Sequence, residues 1–387
     1  MELYDVIVVG GGLAGSLAAQ RLATYGHRVL VLEKQEGAGR NICCTGIISC
    51  ECWEKFPVPS DVILRKARSA HIYSPSGNLI RIEREEIQAY VINRATYDNS
   101  LAQQAQNAGA QYLFLRPVTQ IIPQSDCIAV QTAGENRCSF RARSVVVANG
   151  FAAKSGMISG MGRISDFVAG VQAEVAIRGV TEVEVYTGRK VAPDFFAWLV
   201  PTSSDKAFAG LLSLHNPGEH LKEFIVSLIE TGKVVPGDYS IRYDGIPLRP
   251  LSRTFAERIL VVGDAAGQVK PTTGGGIYFS LLCAEIAAET LHRALEKNDL
   301  SASQLADYEK KWHKKLLHEL RVDYRAHQLY ASLSDNQLER LFDIIKTKNI
   351  AQEFAHDDKL SFDWHANLIK QILKHHALQG LFLKMDL

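Results

Sequence analysis

The chain has 387 residues, 47% of them hydrophobic and 22% charged, which is enough for two or three domains with a buried core. Its 43 Lys and Arg nearly balance 42 Asp and Glu, so there is no basic excess for nucleic acid, and we expect no such partner. The sequence offers neither a secretory signal nor a run of about 18 uncharged apolar residues, so we expect a cytoplasmic protein without a membrane span.

The first elements alternate between strand and helix. Residues 3–9 predict a buried strand because Val and Ile run continuously before the glycines, residues 13–26 carry apolar positions at helical spacing, and residues 28–33 predict the next strand. A strand-helix-strand unit of about 30 residues is the building block of a parallel sheet. We therefore predict an α/β fold with a Rossmann-like first domain.

The following residues change pattern several times. Periodicity is lost from 36 to about 60, which predicts a long loop. Residues 67–92 alternate as a β-ribbon that turns at 75–77. Residues 93–108 predict a helix, and 144–148 predict another buried strand.

The remaining chain divides into three patterns. Residues 150–254 alternate as an antiparallel sheet with one wet face, residues 259–262 return to a strand that runs into glycine, and the residues after 301 are charged and helical. We predict a discontinuous first domain that consists of 1–66, 93–150 and 255–300. An inserted antiparallel β-sheet domain for substrate consists of 67–92 and 151–254, and a helical C-terminal region consists of 301–387.

A glycine-rich turn joins the first predicted strand to the first helix. Gly10-Gly11-Gly12-Leu13-Ala14-Gly15 matches G-x-G-x-x-G, in which glycines permit a tight turn and let the backbone approach a pyrophosphate at the helix N-terminus. Glu33, followed by Lys34, ends the next strand about 20 residues further on, where a carboxylate binds ribose hydroxyls and disfavours a 2′-phosphate. The pattern predicts FAD or NAD.

A second glycine-rich pattern decides between these cofactors. Gly263-Asp264 follows a predicted strand, and an aspartate there can hold a ribityl hydroxyl. Pro271-Thr272-Thr273-Gly274-Gly275-Gly276 leads into a helix that begins at Ile277, and its N–H groups suit the N1–O2 edge of a reduced flavin. NAD has no ribityl chain, so we predict FAD.

The sequence resembles the flavoprotein superfamily of p-hydroxybenzoate hydroxylase over residues 1–300, and within it the geranylgeranyl reductase family. The resemblance rests on the first glycine turn, on Arg94-Ala95-Thr96-Tyr97-Asp98 and above all on the stretch from Pro271 to Tyr278. Two further segments are similar but depart from the family pattern, Cys44-Thr45-Gly46 and Phe196-Ala197-Trp198-Leu199-Val200-Pro201. Thr45 interrupts a Cys-Gly pair, Phe196 replaces a common tyrosine, and Val200 replaces a larger aromatic residue.

The resemblance implies saturation of double bonds in an isoprenoid chain of a lipid, chlorophyll-type or quinone precursor. The reaction needs a hydride from flavin N5 and a proton from an acid, for which Cys44, Tyr278 and water stay open. The implied cofactor contacts outside the two glycine-rich segments are Arg40, Cys44, Thr45, Gly46 and Arg94, with a surface role open for Arg40. The implied substrate contacts are Phe196, Trp198, Pro201 and Pro271.

Other features leave alternatives open. No second dinucleotide motif is present, so the electron donor is NAD(P)H docking transiently or another reductant such as a redox protein. The cysteines do not have zinc spacing, so we predict no metal site; small packed thiols are the common alternative, and a disulfide from Cys44 to Cys50 stays open. The apolar residues from 368 to 382 alternate with lysines, which suits either peripheral contact with a membrane or packing on the FAD-binding domain.

Two other functions are also compatible with the sequence. An aromatic monooxygenase of the same superfamily would consume oxygen. A prenyl-binding carrier of the GDP-dissociation-inhibitor type would hold a lipid without flavin chemistry, although it would need neither Asp264 nor the glycines at 274–276.

Overall fold

The computed structural model describes residues 2–57, 59–133, 138–151, 161–355, 357 and 361–375. The strands are β1 Leu3–Val9, β2 Val29–Leu32, β3 Ile47–Ser49, β4 Ile63–Ala67, β5 Ser69–Tyr73, β6 Leu79–Glu83, β7 Ala89–Ile92, β8 Gln111–Leu113, β9 Val118–Pro123, β10 Ile128–Thr132, β11 Ser139–Val147, β12 Phe167–Ala176, β13 Val183–Thr187, β14 Phe196–Pro201, β15 Lys206–Ser213, β16 Arg242–Pro247, β17 Phe255–Ala256 and β18 Ile259–Val261. The helices are α1 Leu13–Thr24, α2 Cys50–Lys55, α3 Arg94–Asn107, α4 Pro217–Glu230, α5 Ile277–Glu296, α6 Ala302–Trp312, α7 His318–Ser332, α8 Asp335–Thr347, α9 Ile350–Ala355 and α10 Ala366–Lys374.

The chain forms two compact units, each from three separate segments. The first unit consists of Met1–Ile42, Arg94–Phe167 and Gly245–Leu320, and the second unit of Cys43–Asn93, Val168–Asp244 and Arg321–Leu387. Residues 43–66 belong to the second unit, whereas the sequence analysis assigned them to the first domain. The predicted C-terminal region is divided between both units.

The first unit is built on a sheet in the order β17-β18-β11-β1-β2-β8, with β10 and β9 continuing from β11. The pairs β18–β11, β11–β1, β1–β2 and β2–β8 are parallel. Buried apolar runs in β1 and β2 explain the arrangement, because a parallel sheet is covered on both faces. The chain order reverses beside β1, and ligands bind such sheets at the carboxyl ends of strands near that reversal.

Helix α1 packs closely on the sheet of the first unit and against α3 and α5. Gly15 makes this approach possible, because a Cβ there would lie 1.9 Å from the carbonyl oxygen of Gly10. Gly10 itself has φ of +103°, and its Cβ would meet the Ala148 carbonyl oxygen at 2.4 Å. Both glycines are therefore required by the fold itself.

The second unit contains a sheet in the order β16-β12-β15-β14-β13-β5-β6 and a smaller sheet in the order β3-β7-β4. The pairs β12–β15, β15–β14, β14–β13 and β5–β6 are antiparallel, while β13 and β5 run parallel. One face of the larger sheet packs on α4 through Leu211, Leu221 and Phe224. The opposite face carries Gln172, Gly210 and Trp198, which alternate with these core positions.

Residues 36–60, predicted as a loop, contain β3 and α2. Ser49 caps α2 by accepting a hydrogen bond from the N–H of Cys52 at 2.9 Å. The predicted ribbon over 67–92 is also divided: β5 and β6 form a hairpin in the larger sheet, and β7 pairs with β3 and β4 in the smaller one. The loop prediction was wrong at these short elements.

Most of the described residues after 301 are helical, as predicted. Ile372 of α10 packs against the cluster around Ile350 in the second unit. Of the apolar tail proposed from the sequence, Leu378, Leu381 and Phe382 lie outside the described residues. None of the helices in the described part of the chain combines the length and apolarity needed to span a bilayer.

Candidate functional site

The first glycine turn connects β1 to α1 and leaves open space where the motif predicts a ligand. Gly12 is the N-cap of α1 and provides no side-chain cap, so the first N–H groups of the helix are not bound by that residue. Among the described residues, no atom lies within 4 Å of a Cβ built on Gly12. A diphosphate fits this position, since the helix N-terminus favours an anion and glycine permits close approach.

Glu33 lies buried at the end of β2 and is bonded to the glycine turn. Its Oε2 accepts a hydrogen bond from the N–H of Gly11 at 2.6 Å, and its Oε1 accepts one from the N–H of Gln35 at 2.8 Å. A carboxylate oxygen can accept more than one hydrogen bond, so both oxygens keep capacity for hydroxyl donors. Lys34 is exposed beside it.

Asp264 lies in a one-turn helix directly after β18. Its position depends on the buried Gln268, whose Oε1 accepts a hydrogen bond from the N–H of Gly263 at 2.8 Å. The Gln268 amide in turn donates to the hydroxyl of Tyr308 at 2.9 Å, and Tyr308 donates to the carbonyl of Val261 at 2.9 Å. Gln268 was not predicted as a site residue, because it belongs to no motif.

The glycine-rich loop at 274–276 leads into α5 and packs against Asp264. A Cβ on Gly276 would lie 3.0 Å from Oδ1 of Asp264, and Gly274 has φ of +70°. Gly276 is the N-cap of α5 and supplies no side-chain cap. The arrangement brings a carboxylate and a helix N-terminus together, which fits the ribityl and N1–O2 groups of a flavin.

Lys270 is a buried cation beside this loop that the sequence analysis did not select. It is 4% exposed, and a Cβ on Gly275 would lie 2.9 Å from its Cε and 3.5 Å from its Nζ. The Lys270 backbone also accepts a hydrogen bond from the N–H of Gly274 at 2.9 Å. Its charge therefore lies at the glycine loop, where it would stabilise negative charge on a ligand.

Pro271 and Tyr278 flank the glycine-rich loop and are both buried. Tyr278 lies in the first turn of α5 and is 4% exposed. Ile277, also buried, begins the helix. Their roles in substrate and proton transfer stay predictions.

Arg94 begins α3 and is held by the helix itself. Its Nε and Nη2 lie 3.0 and 3.3 Å from the two carboxylate oxygens of Asp98. Burial raises the pKa of Asp98, and the charge of Arg94 opposes that shift. Gly39, with φ of +75°, packs on the start of the same helix, because a Cβ there would meet the Ala95 carbonyl oxygen at 2.4 Å.

Arg40 lies on the surface next to that close contact. Its Nε is 3.5 Å from Oε1 of Glu36, and both side chains are mostly exposed. Such an ion pair contributes little to stability, so Arg40 can exchange it for another anion. Contact with a cofactor phosphate stays a prediction.

The Cys44-Thr45-Gly46 turn lies in the second unit before β3. Gly46 has φ of +74°, and its N–H points at Sγ of Cys44 at 3.4 Å. Gln172, missed by the sequence analysis, binds both other residues of the turn: Oε1 accepts from the Thr45 hydroxyl at 3.1 Å, and Nε2 donates to the Cys44 carbonyl at 3.3 Å. The turn is therefore fixed, with a half-buried thiol.

Trp198 lies on the face of the larger sheet that is opposite the α4 core. Its indole covers Gly210 on the neighbouring strand, since a Cβ on Gly210 would lie 2.4 Å from Cζ2 of Trp198. The indole N–H is buried and has no hydrogen-bond acceptor among the residues that the structure describes. Phe196, half-buried, has its ring centroid 6.0 Å from that of Trp198, and Pro201 ends the strand as a buried residue.

The seven cysteines all lie in the described ranges and are free thiols. The disulfide left open between Cys44 and Cys50 is therefore not formed. Burial raises the pKa of the Cys43 thiol to about 12 and also raises that of Cys50. Within the described part of the chain, no group of three or more His, Cys, Asp or Glu side chains is arranged to hold a metal ion.

Comparison with known proteins identifies the family. A sequence profile of the lycopene cyclase protein family matches residues 5–355. The chain belongs to this family. The resemblance to the geranylgeranyl reductase family is confirmed, and the chain is a flavin-dependent oxidoreductase with the predicted α/β fold.

Curated relatives and a solved structure agree with this assignment. Digeranylgeranylglycerophospholipid reductase 2 of Methanothermobacter thermautotrophicus is 31% identical over 368 residues, covering 90% of this chain and 93% of the relative. Digeranylgeranylglycerophospholipid reductase of Methanocaldococcus jannaschii is 28% identical over 357 residues, covering 88% of this chain and 90% of the relative. The crystal structure of a geranylgeranyl bacteriochlorophyll reductase-like protein from Thermoplasma acidophilum matches with a TM-score of 0.85 and 26% identity, covering 98% of this chain and 99% of that chain.

Proposed function

We propose that this chain is an FAD-dependent reductase that saturates double bonds in the geranylgeranyl chains of a glycerophospholipid precursor. The names of the two archaeal reductases support this substrate class. The observation that carries the proposal is the face of the larger sheet in the second unit, where the Trp198 indole covers Gly210 beside the Phe196 ring and Gln172 binds a turn with a free thiol. An isoprenoid chain presents only apolar surface, which such a face accommodates.

FAD is the flavin that the first unit suits best. FMN has no adenosine, and it would leave the Glu33 carboxylate and the open turn at Gly12 without a ligand group. Glu33 would bind the ribose hydroxyls, Gly12 the diphosphate, and Asp264 the ribityl chain. Lys270 and the start of α5 would stabilise the negative charge of the reduced ring system.

The reduction requires one hydride and one proton for each double bond. The flavin held by Glu33, Gly12 and Asp264 would be the source of the hydride for one alkene carbon. We assign the proton for the other carbon to the thiol of Cys44. The N–H of Gly46 points at that sulfur and would stabilise the thiolate left after proton transfer, and solvent then returns the proton.

The substrate side chains fit a bulky apolar group. Phe196 carries no hydroxyl, and Val200 is smaller than the aromatic residue of the family pattern, which would favour a branched apolar chain beside Trp198. NAD(P)H or a redox protein would reduce the flavin by transient docking.

Peripheral contact with a membrane would let a lipid substrate enter without leaving the bilayer.

An anaerobic turnover experiment tests the proposal. The purified protein should be yellow, bleach with dithionite, and convert a digeranylgeranyl glycerophospholipid to products heavier by steps of two hydrogens. A variant with Cys44→Ser should keep its flavin and lose most turnover, while Cys138→Ser, which changes an exposed thiol in the other unit, should match the parent protein.

Three results would contradict the proposal. A colourless protein that binds the lipid would be a carrier. Oxygen uptake with formation of a hydroxylated product would identify a monooxygenase. Absence of any mass change in the lipid with fully reduced enzyme would exclude this substrate class.

A further inference from the structure

Gln172 is a polar side chain at a buried position of β12. It is 4% exposed in the middle of β12, and a buried amide is costly unless its donors and acceptor are used. Both ends are bound to one short turn, through the Thr45 hydroxyl at 3.1 Å and the Cys44 carbonyl at 3.3 Å. A carbonyl oxygen can only accept, so the amide nitrogen must face Cys44 and the amide oxygen Thr45.

The Cys44-Thr45-Gly46 turn is also hydrogen-bonded to the smaller sheet. The N–H of Ile92, at the end of β7, donates to the carbonyl of Gly46 at 2.8 Å. The backbone of the turn is therefore held at Gly46 by the smaller sheet and at Cys44 by the larger sheet. Without Gln172, Cys44 and Thr45 would lose both side-chain contacts that tie them to β12.

Gln172 shares a cross-strand row with Trp198. In register, Gln172 lies opposite Gly210, and Gly210 lies opposite Trp198. Directly opposite residues of an antiparallel pair point to the same face. The same ladder of backbone hydrogen bonds thus fixes the indole and the amide that binds the Cys44 turn.

We propose that Gln172 is a positioning residue that fixes the Cys44 thiol with respect to Trp198, and that Thr45 is its partner. Thr45 stands inside what is otherwise a Cys-Gly pair, and its hydroxyl donates directly to Gln172. Gln172 and Thr45 therefore hold the Cys44 turn together, as a hydrogen-bonded pair. The importance of this position for catalysis rests on the proposed function, but the positioning itself does not.

The test measures the reactivity of Cys44 in the flavin-loaded enzyme. The variants are Gln172→Leu, Thr45→Val and the double variant, and the readout is the initial rate of iodoacetamide labelling at each cysteine of the tryptic peptide 41–55, assigned by fragment ions. Thr45→Val removes one hydrogen bond from the turn and should raise the Cys44 rate about fivefold, and Gln172→Leu removes two and should raise it at least as much. The double variant should show no more than the larger single effect, because both changes break the same contact.

A matched control separates positioning from general loosening of the sheet. Thr187→Val removes another buried hydroxyl of the larger sheet, which donates to the Tyr73 carbonyl at 2.9 Å. It should leave the Cys44 rate unchanged. In turnover, the Gln172 and Thr45 variants should lower kcat about tenfold at nearly constant KM, since only transition-state alignment is lost.

The labelling results decide whether Gln172 positions the Cys44 thiol. Unchanged Cys44 labelling in both single variants, additive effects in the double variant, or an equal rise at Cys50 would overturn the positioning role. Thr45→Val, a change at a half-buried turn residue, serves if Gln172→Leu does not fold. Altered labelling together with no lipid reduction by the parent enzyme would keep the positioning role and reject the proposed function.

Discussion

Oε2 of Glu33 accepts a hydrogen bond of 2.6 Å from the N–H of Gly11, which ties the end of β2 to the glycine turn after β1. This hydrogen bond orients the Glu33 side chain without any help from a bound cofactor. We expect Glu33→Gln to weaken FAD binding about tenfold or more, because one charged hydrogen bond to ribose is worth about 1.5–3 kcal/mol. Titration of the apoprotein with FAD measures this, with Glu230→Gln at the exposed end of α4 as control. Equal affinity in both variants would exclude a ribose contact.

Gly10 and Gly12 should respond differently to alanine. Gly10→Ala adds a Cβ at φ of +103° and 2.4 Å from a carbonyl oxygen, so it should lower the free energy of unfolding by more than about 2 kcal/mol. Gly12→Ala has an ordinary φ of −77° and no described atom within 4 Å of the new Cβ, so the apoprotein should keep its stability. Its FAD affinity should fall by about 1–3 kcal/mol through crowding of the diphosphate. Urea unfolding and FAD titration separate the two effects.

Lys270 should influence the redox potential of the bound flavin. Its buried charge would favour the anionic reduced state, so Lys270→Met should lower the two-electron midpoint potential by about 30 mV or more, where 30 mV corresponds to about 1.4 kcal/mol. Equilibration with a reference dye measures the potential. Lys310→Met, on the exposed face of α6 in the same unit, is the control and should leave it unchanged. A potential equal to that of the parent in Lys270→Met would refute the role.

Gly210 should be essential for the indole position of Trp198. Gly210→Ala places a methyl group 2.4 Å from the indole and should shift the ring, lowering kcat/KM for the prenyl substrate about tenfold or more while flavin content stays normal. Tryptophan fluorescence reports the shift directly. Gly237→Ala, for which no described atom lies within 4 Å of the new Cβ, should resemble the parent in both measurements.

The Cys43 thiol should give the protein a specific sensitivity to alkali. Burial raises its pKa from 9.0 to about 12, so the folded state binds this proton more tightly than the unfolded state. The resulting stabilisation is complete below pH 9 and is lost as pH rises toward 12. The difference in free energy of unfolding between the parent and Cys43→Ala should therefore shrink from pH 8 to pH 10.5 in urea titrations. A constant difference across that range would contradict the raised pKa.

The core of the first unit could be predicted from the sequence because its signals are local. The continuous apolar runs at 6–9 and 29–32 are followed by a glycine and a glutamate, and helical periodicity lies between them. By contrast, β3 has three residues and pairs with Ala89–Ile92, about forty residues away. A strand this short has no periodicity to detect, and its partner is fixed only by tertiary structure.

The candidate site also combines residues with a local sequence signal and residues that only the tertiary structure reveals. Gly12, Glu33 and Asp264 follow from spacing, whereas Gln172, Gln268 and Lys270 matter through what they touch. The contact of Trp198 with Gly210 depends on the register of β14 and β15, which no local pattern specifies. Gln268 and Lys270 stand directly beside the motifs at 263–267 and 271–276, and this adjacency is the signal that could have drawn attention to them, whereas Gln172 has no such neighbour.

The division of each unit into three chain segments has a consequence for synthesis on the ribosome. Strand β1 can pair with β2 soon after it emerges, but β11 follows more than a hundred residues later and β18 more than two hundred. The nascent chain therefore exposes an unpaired edge first on β1, until β11 is made, and then on β11, until β18 is made, and such edges are prone to aggregate. Added chaperone during expression should therefore raise the yield of folded protein.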